Sequence, residues 1–249
     1  MKNKDIKYSL IYAIIGLIAG LIVGYYQVST ATEALNQQLT AQFGSSSMFI
    51  VICGIQAALY SLISAFFGLK LARKVNLKLN FKFDKKSVIL AVVIGLAAAL
   101  IISVSDKFIF AQYLPKQPEA YSFSPLYLLV SMLYGGIVEE LMLRLLLMSL
   151  LVFLLWKLFA KSKDNLAIPS WVYISAIVLS AILFAAGHLP ATAQFLGLST
   201  PILIRCFVLN GVAGIGFGYL YWKKGFSYAI FAHMLAHIFT QTVILPILF

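Results

Sequence analysis

The sequence predicts an all-α fold, a polytopic transmembrane helix bundle of about seven to eight membrane helices with a polar site inside it. Three observations predict it. Of the 249 residues 62% are hydrophobic and only 11% charged, against about 25% charged in average soluble chains. Several apolar runs match the roughly 20 residues that a helix needs to cross a hydrocarbon core. A handful of ionisable side chains lie inside those runs, where each costs about 2.5–3.5 kcal/mol on insertion scales, so they are expected to face a cavity or a partner. The chain reads as a single membrane domain over 1–249, in which 1–123 supplies helices without chemical motifs and 124–249 carries the chemistry.

The elements follow in order. Residues 8–28 form the first apolar run, after the basic Lys2, Lys4 and Lys7. A signal peptide has a shorter apolar region, roughly 7–15 residues, so this run reads as an uncleaved first helix. Residues 29–47 are polar, with one charge, Glu33, and 48–71 are the second run. The basic stretch 72–87 contains Arg73, Lys74, Lys78, Lys82, Lys85 and Lys86. Its alternation (VNLKLNFKF) admits a short interfacial strand, but a solvated loop is preferred. Residues 88–104 are the third run, and 106–123 a mixed loop with Pro115 and Pro118.

Residues 124–161 form an unusually long fourth segment. At ~1.5 Å per residue one helix of that length exceeds ~50 Å, against a ~30 Å hydrocarbon core. It must protrude, tilt or break, and Gly135-Gly136 is the natural break point because glycine weakens helices. Such a break would add an eighth element. Residues 161–170 are a polar loop. The fifth run, 171–187, ends in His188-Leu189-Pro190, and a short uncharged loop with Gln194 and Ser199 follows. The sixth run, 201–222, has Gly211, Gly214, Gly216 and Gly218, which suit close helix packing. Arg205 near its start is expected to snorkel to the interface. After Lys223-Lys224 the seventh run, 226–248, ends the chain.

Fifteen lysines and arginines fall on one side of this arrangement and only Lys107 and Lys116 on the other. The positive-inside bias therefore predicts a multi-pass cell-membrane protein with a cytoplasmic N-terminus. It also accounts for the net charge of +11, so nucleic acid is not an expected partner; membrane lipid is. Cys53 and Cys206 lie in apolar segments and imply neither a disulfide framework nor a cysteine metal site.

The chemistry concentrates in Tyr134–Leu147, YGGIVEELMLRLLL. On a helix Glu140 and Arg144, at i and i+4, share a face and can pair. Glu139 is rotated by about 100° from Glu140, so it has no obvious local partner and is a candidate general base. The structural alternative is that all three charges are polar glue between helices. His188, His233 and His237 are the three histidines of the chain; the last two stand at i and i+4 on one helix face. Each lies in or at the edge of an apolar run, and together with Glu139, Glu140 and Arg144 they make a plausible shared polar pocket. One geometric tension stands: His188 lies ~17 residues (about 25 Å) from its helix start and His233 ~7 residues (about 10 Å) from its own. For the two to meet, the seventh helix must start within the membrane, or the fifth must tilt or start deeper.

Glu139-Glu140-x-x-x-Arg144, Phe184-x-x-x-His188, and His233 with a polar residue four positions later resemble the three motifs of the CPBP (CAAX protease and bacteriocin-processing, Abi) intramembrane proteases, which include the type II CAAX prenyl endopeptidases. The resemblance covers roughly residues 126–245. It implies that Glu139 is the catalytic carboxylate, that His188 positions and activates the attacking water, and that His233 with the residue at 237 stabilises the oxyanion. His237 stands where the family usually has asparagine. A neutral histidine can still donate one hydrogen bond, so the role survives. The change also creates His-x-x-x-His, and with His188 and Glu139 a Zn2+ site becomes the alternative. No HExxH is present, since Met234 follows His233. A metal-independent glutamate-type hydrolase is the favoured reading, with no cofactor and with a peptide or membrane-protein substrate. A binding-only role in bacteriocin self-immunity or protein sorting is the rival from another class. A proton-coupled transporter ranks last, because the inverted repeats it predicts are not evident.

Overall fold

Four helices in this chain start where the sequence supplies a side-chain cap, at Thr32, Ser45, Asp84 and Ser124. The computed structural model describes residues 2–79, 84–114, 122–160 and 167–249. The Pro115–Pro118 part of the third loop, most of the 161–170 loop and the 80–83 end of the alternating stretch lie outside the described residues. Nine helices run through the rest: α1 Lys2–Thr30, α2 Glu33–Phe43, α3 Ser46–Lys74, α4 Lys85–Phe108, α5 Pro125–Ala160, α6 Ser170–Gly187, α7 Leu189–Leu196, α8 Thr200–Lys223 and α9 Phe226–Leu248. Among the described residues there is no strand. Seven spans are long and apolar enough to cross a membrane, so the all-α polytopic bundle is as expected.

Two short helices were not anticipated. The polar segment after α1 folds as α2 because Thr32 accepts the Leu35 N–H at 3.3 Å and Gly44, at φ +85°, ends the helix. The uncharged loop after His188 folds as α7 because Pro190 sits in its first turn, where a missing N–H costs nothing. Neither helix has a buried side chain.

The N-terminal pair α1 and α3 is antiparallel and close. Gly16, Gly20 and Gly24 lie four residues apart and meet Ser61, Ala57, Cys53 and Ile50 of α3, the small-residue spacing that lets membrane helices touch. Arg73 and Asp5 pair at the far end of the same contact. A core shared by α3, α5, α6, α8 and α9 fills the end of the bundle nearest the basic residues, with Leu69, Leu145, Met148, Phe217 and Tyr221 almost fully buried. Ile14, Ile55, Val93 and Ile182 are about half exposed on the outer face, as expected where lipid is the solvent. Arg205 does not snorkel freely: its Nε and Nη2 donate to the Asp106 carboxylate at 2.6 and 2.5 Å, tying α8 to α4.

The predicted break at Gly135-Gly136 does not occur. α5 is continuous over 36 residues, with π-helical winding over Ser131–Glu139 and Leu141–Met148. Such winding is rare and concentrates at functional sites. The glycines serve close approach instead of interruption. A Cβ on Gly135 would lie 2.7 Å from His237 Nε2, and one on Gly136 would collide with Met234 Cγ. Without an interruption there is no eighth span among the described residues.

Candidate active site

α5, α6, α8 and α9 bring all six of the sequence-selected residues together, in two layers. The deeper layer is ionic. Glu140 and Arg144 are fully buried, and Arg144 Nη1 lies 3.1 Å from Glu140 Oε1, the pairing expected at i and i+4. Arg144 Nη2 donates to the Gly214 carbonyl at 3.2 Å, and its guanidinium lies 4.7 Å from the Phe184 ring and 5.5 Å from that of Phe217. A desolvated arginine is thus held by a carboxylate, a carbonyl and two aromatic faces.

The same Glu140 oxygen takes a second partner that the sequence did not reveal: His233 Nδ1, at 2.9 Å. The carboxylate can only accept when ionised, so His233 carries its hydrogen on Nδ1. Phe217 stacks on the other side of this ring at 4.5 Å, and His237 stacks on it at 4.9 Å and 24°. Glu140 is therefore more than a counter-ion to Arg144; it orients a histidine of the pocket.

The upper layer is a cavity of about 380 Å³ whose walls include Tyr134, Glu139, His188, Asn210, His233 and His237. Glu139 is half-buried. Among the described residues it makes no hydrogen bond or ion pair, although its neighbour Glu140 makes two. His188, at the end of α6, donates from Nδ1 to the Phe184 carbonyl at 2.9 Å. That fixes a lone pair on Nε2, an acceptor for water. His237 Nε2 is buried without a hydrogen-bond partner among the described residues.

The depth tension resolves at the start of α9. Phe226 is 1% exposed and its N–H donates to the Lys78 carbonyl at 3.0 Å, so α9 begins inside the protein. Phe184 spans the remaining offset, with its ring 4.7 Å from that of His188 and 6.0 Å from that of His233.

The Zn2+ alternative can be tested on the donors. Among the described residues no group of three or more His, Cys, Asp or Glu is arranged to hold a metal ion. The reason is visible in the rings: His233 and His237 lie nearly parallel in a stack, so their in-plane lone pairs cannot converge on one ion at the ~2.0–2.1 Å of a zinc–nitrogen bond. As placed, His188, His233, His237 and Glu139 do not fit a zinc ion.

Among the wall residues that escaped the sequence reading, three are instructive. Asn210 is a polar residue within the sixth apolar run, and the logic applied to the histidines would have found it. Tyr26 and Gln27 also line the cavity; at the end of the first run they look like ordinary interface residues, and nothing in the sequence marks α1 as part of the site.

No curated protein and no solved structure matches the chain. A protein-family comparison matches residues 121–239 to the type II CAAX prenyl endopeptidase Rce1-like family, a range that contains Glu139, Glu140, Arg144, His188, His233 and His237. With the motifs in order and their side chains gathered in two adjoining layers of the bundle, residues 121–239 form a domain of the type II CAAX prenyl endopeptidase, Rce1-like, family.

Proposed function

We propose that the protein is an intramembrane endopeptidase that cleaves a peptide bond near the end of a membrane-associated substrate, with water activated by Glu139 and His188. One observation carries this reading: of two adjacent carboxylates, Glu140 is occupied by Arg144 and His233, while Glu139 faces the cavity shared with all three histidines. In the proposed step the Glu139 carboxylate takes a proton from water as the water oxygen bonds to the scissile carbonyl carbon. His188 Nε2 accepts the second hydrogen bond of that water and aims it. The carbonyl π electrons move to oxygen, and His237 donates to that oxyanion. His233, its Nδ1 hydrogen engaged by Glu140, holds the stacked His237 ring in place for that role. Collapse breaks the C–N bond, and the proton held by Glu139 passes to the leaving nitrogen.

The deciding experiment is cleavage of a quenched peptide library by purified protein in detergent. Cleavage by wild type and none by Glu139→Ala is the expected result; equal cleavage by both would overturn the assignment. Activity that survives a chelator in metal-free protein separates the glutamate mechanism from a zinc-dependent one.

A further inference from the structure

A second cavity, of about 470 Å³, lies between the end of α1, α2, the start of α3 and α7. Its walls include Tyr26, Gln27 and Phe195, which also line the active-site cavity. The two spaces therefore share a wall, where Tyr26 stacks on Tyr127 of α5 at 5.4 Å. Its roof is α2 and α7, the two helices without a buried side chain.

Its chemistry is specific. None of the residues lining it is acidic or basic. Leu35, Leu39, Phe43 and Phe49 supply apolar surface, while Gln27, Gln42 and Gln194 each present an amide with a donor and an acceptor. Thr30 already donates its hydroxyl to the Tyr26 carbonyl and Thr32 already accepts the Leu35 N–H, so each hydroxyl is half used and the glutamines are the main pairing groups on offer. Apolar walls with three amides match the backbone and side chains of an uncharged peptide. A charged side chain would be buried there without a counter-ion.

The geometry points to this space as the substrate vestibule: it takes an extended, uncharged peptide segment and passes the scissile bond across the shared wall of Tyr26, Gln27 and Phe195 to Glu139. This rests on the protease reading above and adds the substrate class and the side of entry. The vestibule is at the end of the bundle remote from Arg73, Lys74, Lys85 and Lys223, since α1 ends there and α3 and α8 begin there. By the positive-inside bias, that end is the non-cytoplasmic one.

The test uses the full chain in lipid nanodiscs, with Glu139→Gln to hold substrate uncleaved. The probe is an N-acetylated, C-amidated octapeptide of Ala, Leu and Ser with one benzoylphenylalanine, photo-crosslinked and mapped by mass spectrometry. Adducts are expected within residues 26–49 and 194–195. Leu39→Lys, on a helix that buries nothing, is expected to cut labelling about tenfold, as an uncompensated charge in the vestibule would. Leu39→Met should retain it, and a probe carrying one Asp should regain labelling with Leu39→Lys. Adducts found only elsewhere, or labelling indifferent to Leu39→Lys, overturn the vestibule. Cleavage of the same peptide by the active protein is scored separately: equal rates with and without Glu139 overturn the protease reading while leaving the docking result to stand or fall by its adducts.

Discussion

Two neighbouring carboxylates in one helix occupy opposite situations. Glu140 is fully buried and shared by Arg144 and His233. Glu139, one residue earlier, is half-buried on the wall of a cavity and has no such partner among the described residues. The sequence step between them is small and the physical step is large, because successive helical residues point about 100° apart. One direction leads into the packed contact with α8 and α9, the other into a cavity of about 380 Å³. A buried charge that is paired holds helices together; a charge left facing a cavity is available for chemistry.

The largest expected effect separates the two at once. Glu139→Gln should lower kcat by about 10²–10⁴-fold, the usual worth of a general base, with thermal unfolding in detergent nearly unchanged. Glu140→Gln should do the reverse first: it leaves Arg144 charged and unpaired in the core, which costs about 3–5 kcal/mol, read as a loss of thermal stability. Replacing both, Glu140→Gln with Arg144→Met, should recover much of that stability but not the activity, since His233 still lacks its carboxylate. If the double variant were fully active, Glu140 would have no part in orienting His233.

A smaller effect tests the glycine that brings α5 against α9. Gly135→Ala would place a Cβ 2.7 Å from His237 Nε2. Overpacking of this kind costs about 1–3 kcal/mol, and here it falls on a cavity residue. The expected readout is a fall in kcat larger than the fall in stability alone would give, with the Glu140–Arg144 layer intact. Smaller again in its effect on activity is the pair at the other end of α8. Asp106 and Arg205 are only 14% and 20% exposed, so Asp106→Ala should cost between the ~1 kcal/mol of an exposed pair and the ~3–5 kcal/mol of a fully buried one. Its effect on the kinetics, at this distance from the cavity, should be nil.

Much of the architecture was legible because a bilayer imposes it. Seven apolar runs gave seven spans, and each polar residue inside a run was conspicuous, which is why Glu139, Glu140, Arg144 and the histidines could be selected without a structure. The pairing of Glu140 with Arg144 followed from helix periodicity alone. The bond from Glu140 to His233 did not, because it joins residues 93 apart in sequence and depends on how deep α9 starts. That depth is set by Phe226 docking on Lys78, a contact with no local signature. Gly135-Gly136 misled for a related reason: a glycine pair reads as a helix breaker locally, but in the bundle it makes room for His237 and Met234. Tyr26 and Gln27 were illegible as site residues, because α1 reaches the site only through its packing on α3 and α5.

A third carboxylate, exposed and outside the membrane, calibrates the comparison and carries the smallest expected effect. Asp84 caps α4: its Oδ2 accepts the Ser87 hydroxyl at 2.6 Å and the Ser87 N–H at 2.9 Å. The hydroxyl bond above all, and then the N–H bond, hold its carboxyl below the ordinary range. Both bonds favour the ionised form, so the sign follows from linkage. The stabilisation is present above the unfolded-state value, about 3.9 for aspartate, and is lost as pH falls through the lower folded-state value. Wild type should therefore exceed Asp84→Ala in thermal stability by a small margin that is constant from neutral pH down to about 4 and closes below it. A margin that persisted unchanged in acid would mean that Asp84 acts through its side-chain volume and not through its charge. Glu139 and Glu140 would then lack the exposed, hydrogen-bonded reference against which their burial is judged.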